Sequence, residues 1–164
     1  MTDHPPTFSR GVRLGVDVGA VRVGLARSDA DGLLATPVET VTGDRDSQVR
    51  RIVEVAQELG AVGLVVGLPR QLSGAEGRAA QAAREYALEL SRACSPVPVR
   101  LVDERLTTVS AHQALHRSGR PGRQHRAVVD QVAAVMILQE ALDQERRTGH
   151  PAGELVDHGT EIES

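Results

Sequence analysis

Four acidic side chains stand where they could share one reaction: Asp17, the neighbours Asp103 and Glu104, and Asp130. They come from distant parts of the chain. Carboxylates gathered at one place are costly to bury unless cations neutralise them. Mg2+ or Mn2+ does this with oxygen ligands. Two such ions about 3.5–4 Å apart activate water and stabilise the leaving oxygen of a phosphodiester. Each acid also has a plain structural reading. Asp17 could cap a turn, Asp103 or Glu104 could pair with Arg105, and Asp130 could be a first-turn acid favoured by the helix macrodipole. Those readings together require three coincidences at one end of one sheet, so shared chemistry is the stronger account.

The elements that would position these acids are legible in the periodicity. Val12, Leu14, Val16 and Val18 alternate with Arg13, Gly15 and Asp17, as in a half-buried strand. A turn at Gly19-Ala20 and renewed alternation at Val21, Val23 and Leu25 predict a hairpin. A third strand is expected around Leu33–Thr42, where Pro37 suits an edge. Asp44–Asp46 can cap a helix with Ile52, Val55, Ala56 and Leu59 on one face, stopped by Gly60. The apolar run Val62–Val66 reads as a strand covered on both sides. Ser73 and Glu76 have capping-box spacing, which predicts a helix from there to about Ala93. Val97–Val102 is another strand, a short helix is expected after Thr107 or Thr108, and a last helix spans Gln124–Arg147. This order predicts an α/β fold: a five-stranded mixed sheet with helices on both faces.

In such sheets ligand chemistry collects at the carboxyl ends of parallel strands. The first expected parallel strand ends at Asp17 and the third at Asp103-Glu104. A period of two groups Asp103 with Val97, Val99 and Leu101, and Glu104 with Arg100 and Val102; the pattern does not choose between the two acids. On the last helix Asp130 shares a row with Ala133, Ala134, Ile137 and Ala141. An acid aligned with alanines is unusual for a solvated face. Small residues let the helix approach the sheet and carry Asp130 toward the strand ends.

Composition bounds the partner. The 164 residues suit one domain, and 40% apolar content supports a packed core. Phe8 and Tyr86 are the only aromatics, so stacking of nucleobases on a ring platform is a poor mode of binding. All 19 basic residues are arginine, and each can grip a phosphate bidentately. The net charge of −3 argues against a nucleic-acid partner until its distribution is considered. Residues 148–164 hold four acids and no arginine; the rest carries 19 basic and 18 acidic residues, a net of +1. Between Arg100 and Arg126 six arginines face two acids. The single cysteine, Cys94, excludes an intrachain disulfide and reads as a small buried hydrophobe. No apolar run approaches the ~18 residues of a membrane span, and residues 1–10 lack a signal-peptide pattern. A cytoplasmic protein without a membrane partner is expected. Residues 1–10 and 148–164 read as flexible tails around one domain, 11–147. His112 and His116 are spaced i, i+4 but have no nearby third ligand, and read as a surface helix face.

Four segments taken together carry a family resemblance. Gly15-Val16-Asp17-Val18-Gly19 with Arg22, Gly24 and Ser28-Asp29; Val66-Gly67-Leu68-Pro69; Asp103-Glu104-Arg105-Leu106-Thr107-Thr108; and Asp130-Gln131-Val132-Ala133-Ala134 with Ile137-Leu138 resemble the YqgF/RuvX family over about Arg13 to Leu142. The resemblance implies a ribonuclease H-like fold. It implies that Asp17, Glu104 and Asp130 hold the catalytic, metal-binding positions, with Glu104 favoured and Asp103 in reserve. It implies a Mg2+- or Mn2+-dependent nuclease, of the endonuclease kind, acting on pre-16S rRNA or on Holliday junctions. Arg22 and Arg105 flank that site, and Arg120, Arg123 and Arg126 lie in the loop entering the last helix, placed to contact a phosphate backbone. A junction resolvase making two symmetric cuts calls for a homodimer; an rRNA nuclease does not. Asp17-Val18-Gly19 also resembles the phosphate loop of actin-like ATPases and sugar kinases, but those need a second loop and about twice the length. A domain that binds nucleic acid without cutting it is the third class, and the presence of all three acids speaks against it.

Overall fold

Strand β1 (Arg13–Val18) lies near the middle of a six-stranded sheet ordered β3-β2-β1-β4-β5-β6. The computed structural model describes residues 10–69, 73, 75–104 and 123–157, with the backbone alone at 123–128. The other elements are β2 (Val23–Ser28), β3 (Ala35–Val41), α1 (Arg45–Leu59), β4 (Gly63–Leu68), α2 (Arg78–Cys94), β5 (Val99–Asp103), α3 (Arg123–Thr148) and β6 (Glu154–Leu155). β1, β4 and β5 run parallel; β2, β3 and β6 pair antiparallel with their neighbours. The short helix expected after Thr107, with His112 and His116, lies outside the described residues.

Alternation along the strands sorts side chains to two layers. Leu14, Val16, Val23, Leu25, Leu64, Val66, Val99 and Leu101 pack with α1 and α2. Ala26, Val65 and Val102 pack with Ala133, Ala134, Ile137, Leu138, Ala141 and Leu142 of α3. Each fully buried Leu or Ile is worth about 2 kcal/mol of removed apolar surface. The alanine row expected on the last helix is thus its sheet-facing side, whereas Val132 and Val135 are only half-buried.

Local chemistry explains the ends. The Asp44 carboxylate accepts from the Ser47 N–H at 2.8 Å and caps α1, and Gly60 closes it at φ 62°, a left-handed conformation suited to glycine. The capping box expected at Ser73 is not used: α2 begins at Arg78, and Glu76 is spent on Arg84 at 2.7 Å. Pro37 does sit on an edge strand, where the β2–β3 register slips between Leu25 and Ala26.

The sheet has a sixth strand beyond the five expected, and it falls within the stretch read from the sequence as a tail. Leu155 and Glu154 pair with Arg100 and Leu101, Ala152 is buried, and Glu154 bonds to Arg84 at 2.9 Å. A side chain on Gly153 would meet the Leu101 carbonyl at 2.2 Å, so this return passes tightly against β5. Main-chain hydrogen bonds and two arginines hold it, Arg84 on Glu154 and Arg100 donating from Nε to the Ala152 carbonyl at 3.0 Å, which acid-rich composition does not reveal. Among the described residues no helix is long and apolar enough to cross a membrane.

Truncation after Thr148 removes β6, Ala152 and the Glu154 partner of Arg84. It should lower stability by about 1–2 kcal/mol, read as a fall of roughly 2–8 °C in Tm. An unchanged melting curve would show that the return strand contributes nothing.

Candidate active site

Asp17 is flanked on the sheet by glycines from both neighbouring strands. In β2, Gly24 is its direct partner; in β4, Val16 pairs with Val66, so Asp17 and Gly67 stand level one step further on. All three point to the α3 face. This floor has no side chains except the Asp17 carboxylate, which is 5% exposed. Isolated glycines inside a strand pattern signal close approach of another chain segment, and here two such approaches bring the other acids in.

Above Gly24 lies α3. A Cβ on Gly24 would fall 2.1 Å from the Asp130 carbonyl oxygen, so only glycine lets the helix seat there. Gly15, two residues before Asp17 on β1, does the same beneath Ala134 and Leu138. Polar straps fix the helix over this floor. Gln131 donates to the Thr40 hydroxyl at 3.1 Å, Gln139 accepts from the Ala35 N–H at 2.9 Å, and Arg13 meets Glu145 at 3.4 Å in a largely buried pair. Asp130 is thereby held over the strand next to Asp17.

Above Gly67 lies Glu104. Its Oε2 would be 2.7 Å from a Cβ on Gly67, and the residue is 4% exposed. Register explains which of the two neighbouring acids arrives. Gly67 pairs with Val102 and Leu68 with Asp103, so Val102 and Glu104 share the α3 face and Asp103 points with Leu68 to the other. Asp17, Glu104 and Asp130 are therefore on one face at the carboxyl ends of β1 and β5, and Asp103 is not. Burial first, and the charge of Asp103 second, push the Glu104 carboxyl up to about 7.

The arginines divide. Arg22 donates from Nε to Asp130 Oδ2 at 2.8 Å, with both side chains about one-fifth exposed. Arg105 and Arg120 lie outside the described residues, and Arg123 and Arg126 are described as backbone in the first turns of α3. Sequence reasoning missed the support beneath Arg22. Gln48, at the start of α1, donates to the carbonyls of Val21 and Gly43 at 3.2 and 3.1 Å and accepts from the Tyr86 hydroxyl at 3.0 Å. Gly19 N–H closes the same turn onto the Arg22 carbonyl at 2.9 Å. The β1–β2 turn is thus locked from below.

The donor set is all carboxylate oxygen, the type that hard divalent ions take. Among the described residues no group of three His, Cys, Asp or Glu side chains is already gathered for an ion, and Asp130 is turned to Arg22. The chemistry of the donors fits Mg2+ or Mn2+.

Comparison with known proteins matches the chain to a family. The family model described as RuvX, Holliday junction resolvase, matches residues 11–144. The chain belongs to the RuvX family. A Streptomyces coelicolor relative, named as a candidate pre-16S rRNA nuclease, is 52% identical over 153 residues, covering 93% of this chain and 92% of its own. A Nocardioides relative of the same name is 56% identical over 151 residues, covering 90% and 97%. Among solved structures, RuvC of T. thermophilus in complex with a Holliday junction substrate aligns at TM-score 0.53 and 18% identity, covering 86% of this chain and 99% of that one. That likeness shows the fold: this RuvX chain is ribonuclease H-like, as its motifs implied.

Because the folded state raises Glu104 above its ordinary 4.5, it holds the proton more tightly than the unfolded chain. Metal-free protein should therefore lose stability as pH climbs from about 4.5 to 7. Glu104→Gln should be more stable than wild type at pH 8, by up to about 3 kcal/mol, with the gap shrinking at pH 5. Urea unfolding at the two pH values checks this; a gap independent of pH would refute the burial of an ionised carboxylate here.

Proposed function

We propose that this RuvX-family protein is a divalent-metal-dependent endonuclease that acts in the cytoplasm on the 5′ end of pre-16S rRNA. The observation that carries the reading is the glycine-floored row: Asp17 between Gly24 and Gly67, with Asp130 seated over one and Glu104 over the other. The names of the curated relatives support the rRNA substrate. Asp17, Glu104 and Asp130 would hold Mg2+ or Mn2+, as a pair of ions, with Asp103 as reserve ligand. When bound, the metal supplies an activated water and charge stabilisation at the leaving oxygen. The chain's own contribution is placement. The buried Asp17 fixes the centre, Glu104 brings a carboxyl that ionises near neutrality, and the covered floor excludes bulk water. Arg22 and Arg105 would orient the phosphate, and Arg120, Arg123 and Arg126 would hold the flanking backbone.

The second reading is a Holliday junction resolvase acting as a homodimer, favoured by the description of the matching family model. Purified protein with Mn2+ or Mg2+ should be offered a pre-rRNA 5′ leader and a four-way DNA junction side by side. Cleavage of the leader is expected, and preference for the junction would give the second reading. Asp17→Asn should reduce cleavage by about a thousandfold or more; a variant that cuts like wild type would sink the metal-site assignment.

Replacing Arg120, Arg123 and Arg126 with glutamine should weaken RNA binding across sequences. It should also flatten the log–log salt dependence by about 2–3. An unchanged slope would remove these arginines from the interface.

A further inference from the structure

Arg22 and Asp130 meet across the site, from the two elements that close over Asp17. Arg22 sits at the entrance to β2, two residues before Gly24 and on the same face, and its backbone is locked by the Gly19 and Gln48 hydrogen bonds. Its Nε spends itself on Asp130 Oδ2 at 2.8 Å, and no other described residue bonds its terminal N–H groups. A guanidinium therefore occupies one side of the carboxylate that a divalent ion would need. Both side chains retain about one-fifth exposure, so the pair can open without unpacking the core.

We propose that Arg22 is an exchangeable counter-cation: it neutralises Asp130 in the metal-free protein, is displaced when the divalent ion enters, and then has its whole fork available for a substrate phosphate. This rests on the metal reading given above. Three facts drive it. Asp130 is fixed through its backbone on Gly24, so its carboxylate has one neighbourhood in which to find a cation. Arginine does not lose its charge at any pH in use, so the competition cannot be relieved by deprotonation, only by a second cation. Terminal guanidinium nitrogens suit phosphate oxygens better than the single Nε contact used here. Metal entry and phosphate recruitment would then be linked by one side chain, each favouring the other.

The test is Mn2+ binding by calorimetry, without substrate, on wild type, Arg22→Gln, Asp130→Asn and the double variant. Arg22→Gln should bind Mn2+ about fivefold more tightly, since a partly exposed pair of this kind is removed, while cleavage at saturating Mn2+ falls. In the Asp130→Asn background the Arg22 substitution should leave Mn2+ affinity unchanged. Equal or weaker Mn2+ binding by Arg22→Gln, with wild type still binding, overturns the exchange but leaves the metal reading standing. Absence of Mn2+ binding in both overturns the metal reading and this inference with it. A second measurement needs no Arg22 loss: the Arg22 Nε–Hε resonance of wild type, assigned by its disappearance in Arg22→Lys, should shift and exchange faster with water as Mg2+ is added. A resonance unmoved through a saturating Mg2+ titration overturns the exchange.

Discussion

The close approach of α3 to the sheet is the constraint on which the site depends. A helix normally stands off a sheet by the depth of two side-chain layers. Here Gly15, Gly24 and Gly67 remove one of those layers, and Ala133, Ala134 and Ala141 thin the other. Backbone atoms of Asp130 and Ala134 then lie against strand glycines, and the carboxylates of Asp17 and Glu104 fit beneath the helix instead of beside it. A single methyl at Gly24 or Gly67 would have to displace a helix carbonyl or a buried carboxylate. Overpacking of that kind typically costs about 1–3 kcal/mol. The glycines thus set the height at which the acids meet.

That geometry carries an electrostatic cost, and its distribution is uneven. Asp130 is answered by Arg22 across an accessible gap. Glu104 is buried next to the like charge of Asp103, and its carboxyl is raised accordingly. On the rest of the α3 face the polar groups are paired, Arg13 with Glu145 and Gln139 with the Ala35 N–H. Among the described residues the raised carboxyl of this face thus lies at the strand ends, where perturbed acids mark functional sites.

Much of this was legible in the residues because local and global signals agree. β1 and β2 alternate cleanly, Asp44 and Gly60 bracket α1, and the three parallel strands follow from apolar runs separated by helices. The choice between Asp103 and Glu104 was not legible from periodicity. Alternation separates the two acids onto opposite faces but does not say which face α3 covers, and only the pairing of Gly67 with Val102 does. Family resemblance had pointed to Glu104 for a different reason. β6 was invisible because two residues are too few to show alternation, and its anchors are main-chain bonds. Gln48 was unreadable because its partners, Val21, Gly43 and Tyr86, lie in three separate segments. Gly24 and Gly67 could have been found, since a lone glycine in a strand is a sign of close approach.

The two layers of this fold differ in when they can form. The α1–α2 side is assembled from the chain up to β5 in a series of short steps. The α3 side joins residues near the start to residues more than a hundred positions later, as in Arg22 with Asp130 and Gly32 with Arg146. Closing so long a loop is slow relative to local pairing. A chain folded only as far as β5 would have Asp17 and Glu104 in place without Asp130 above them, so the acids proposed to hold the metal would come together only when α3 docks.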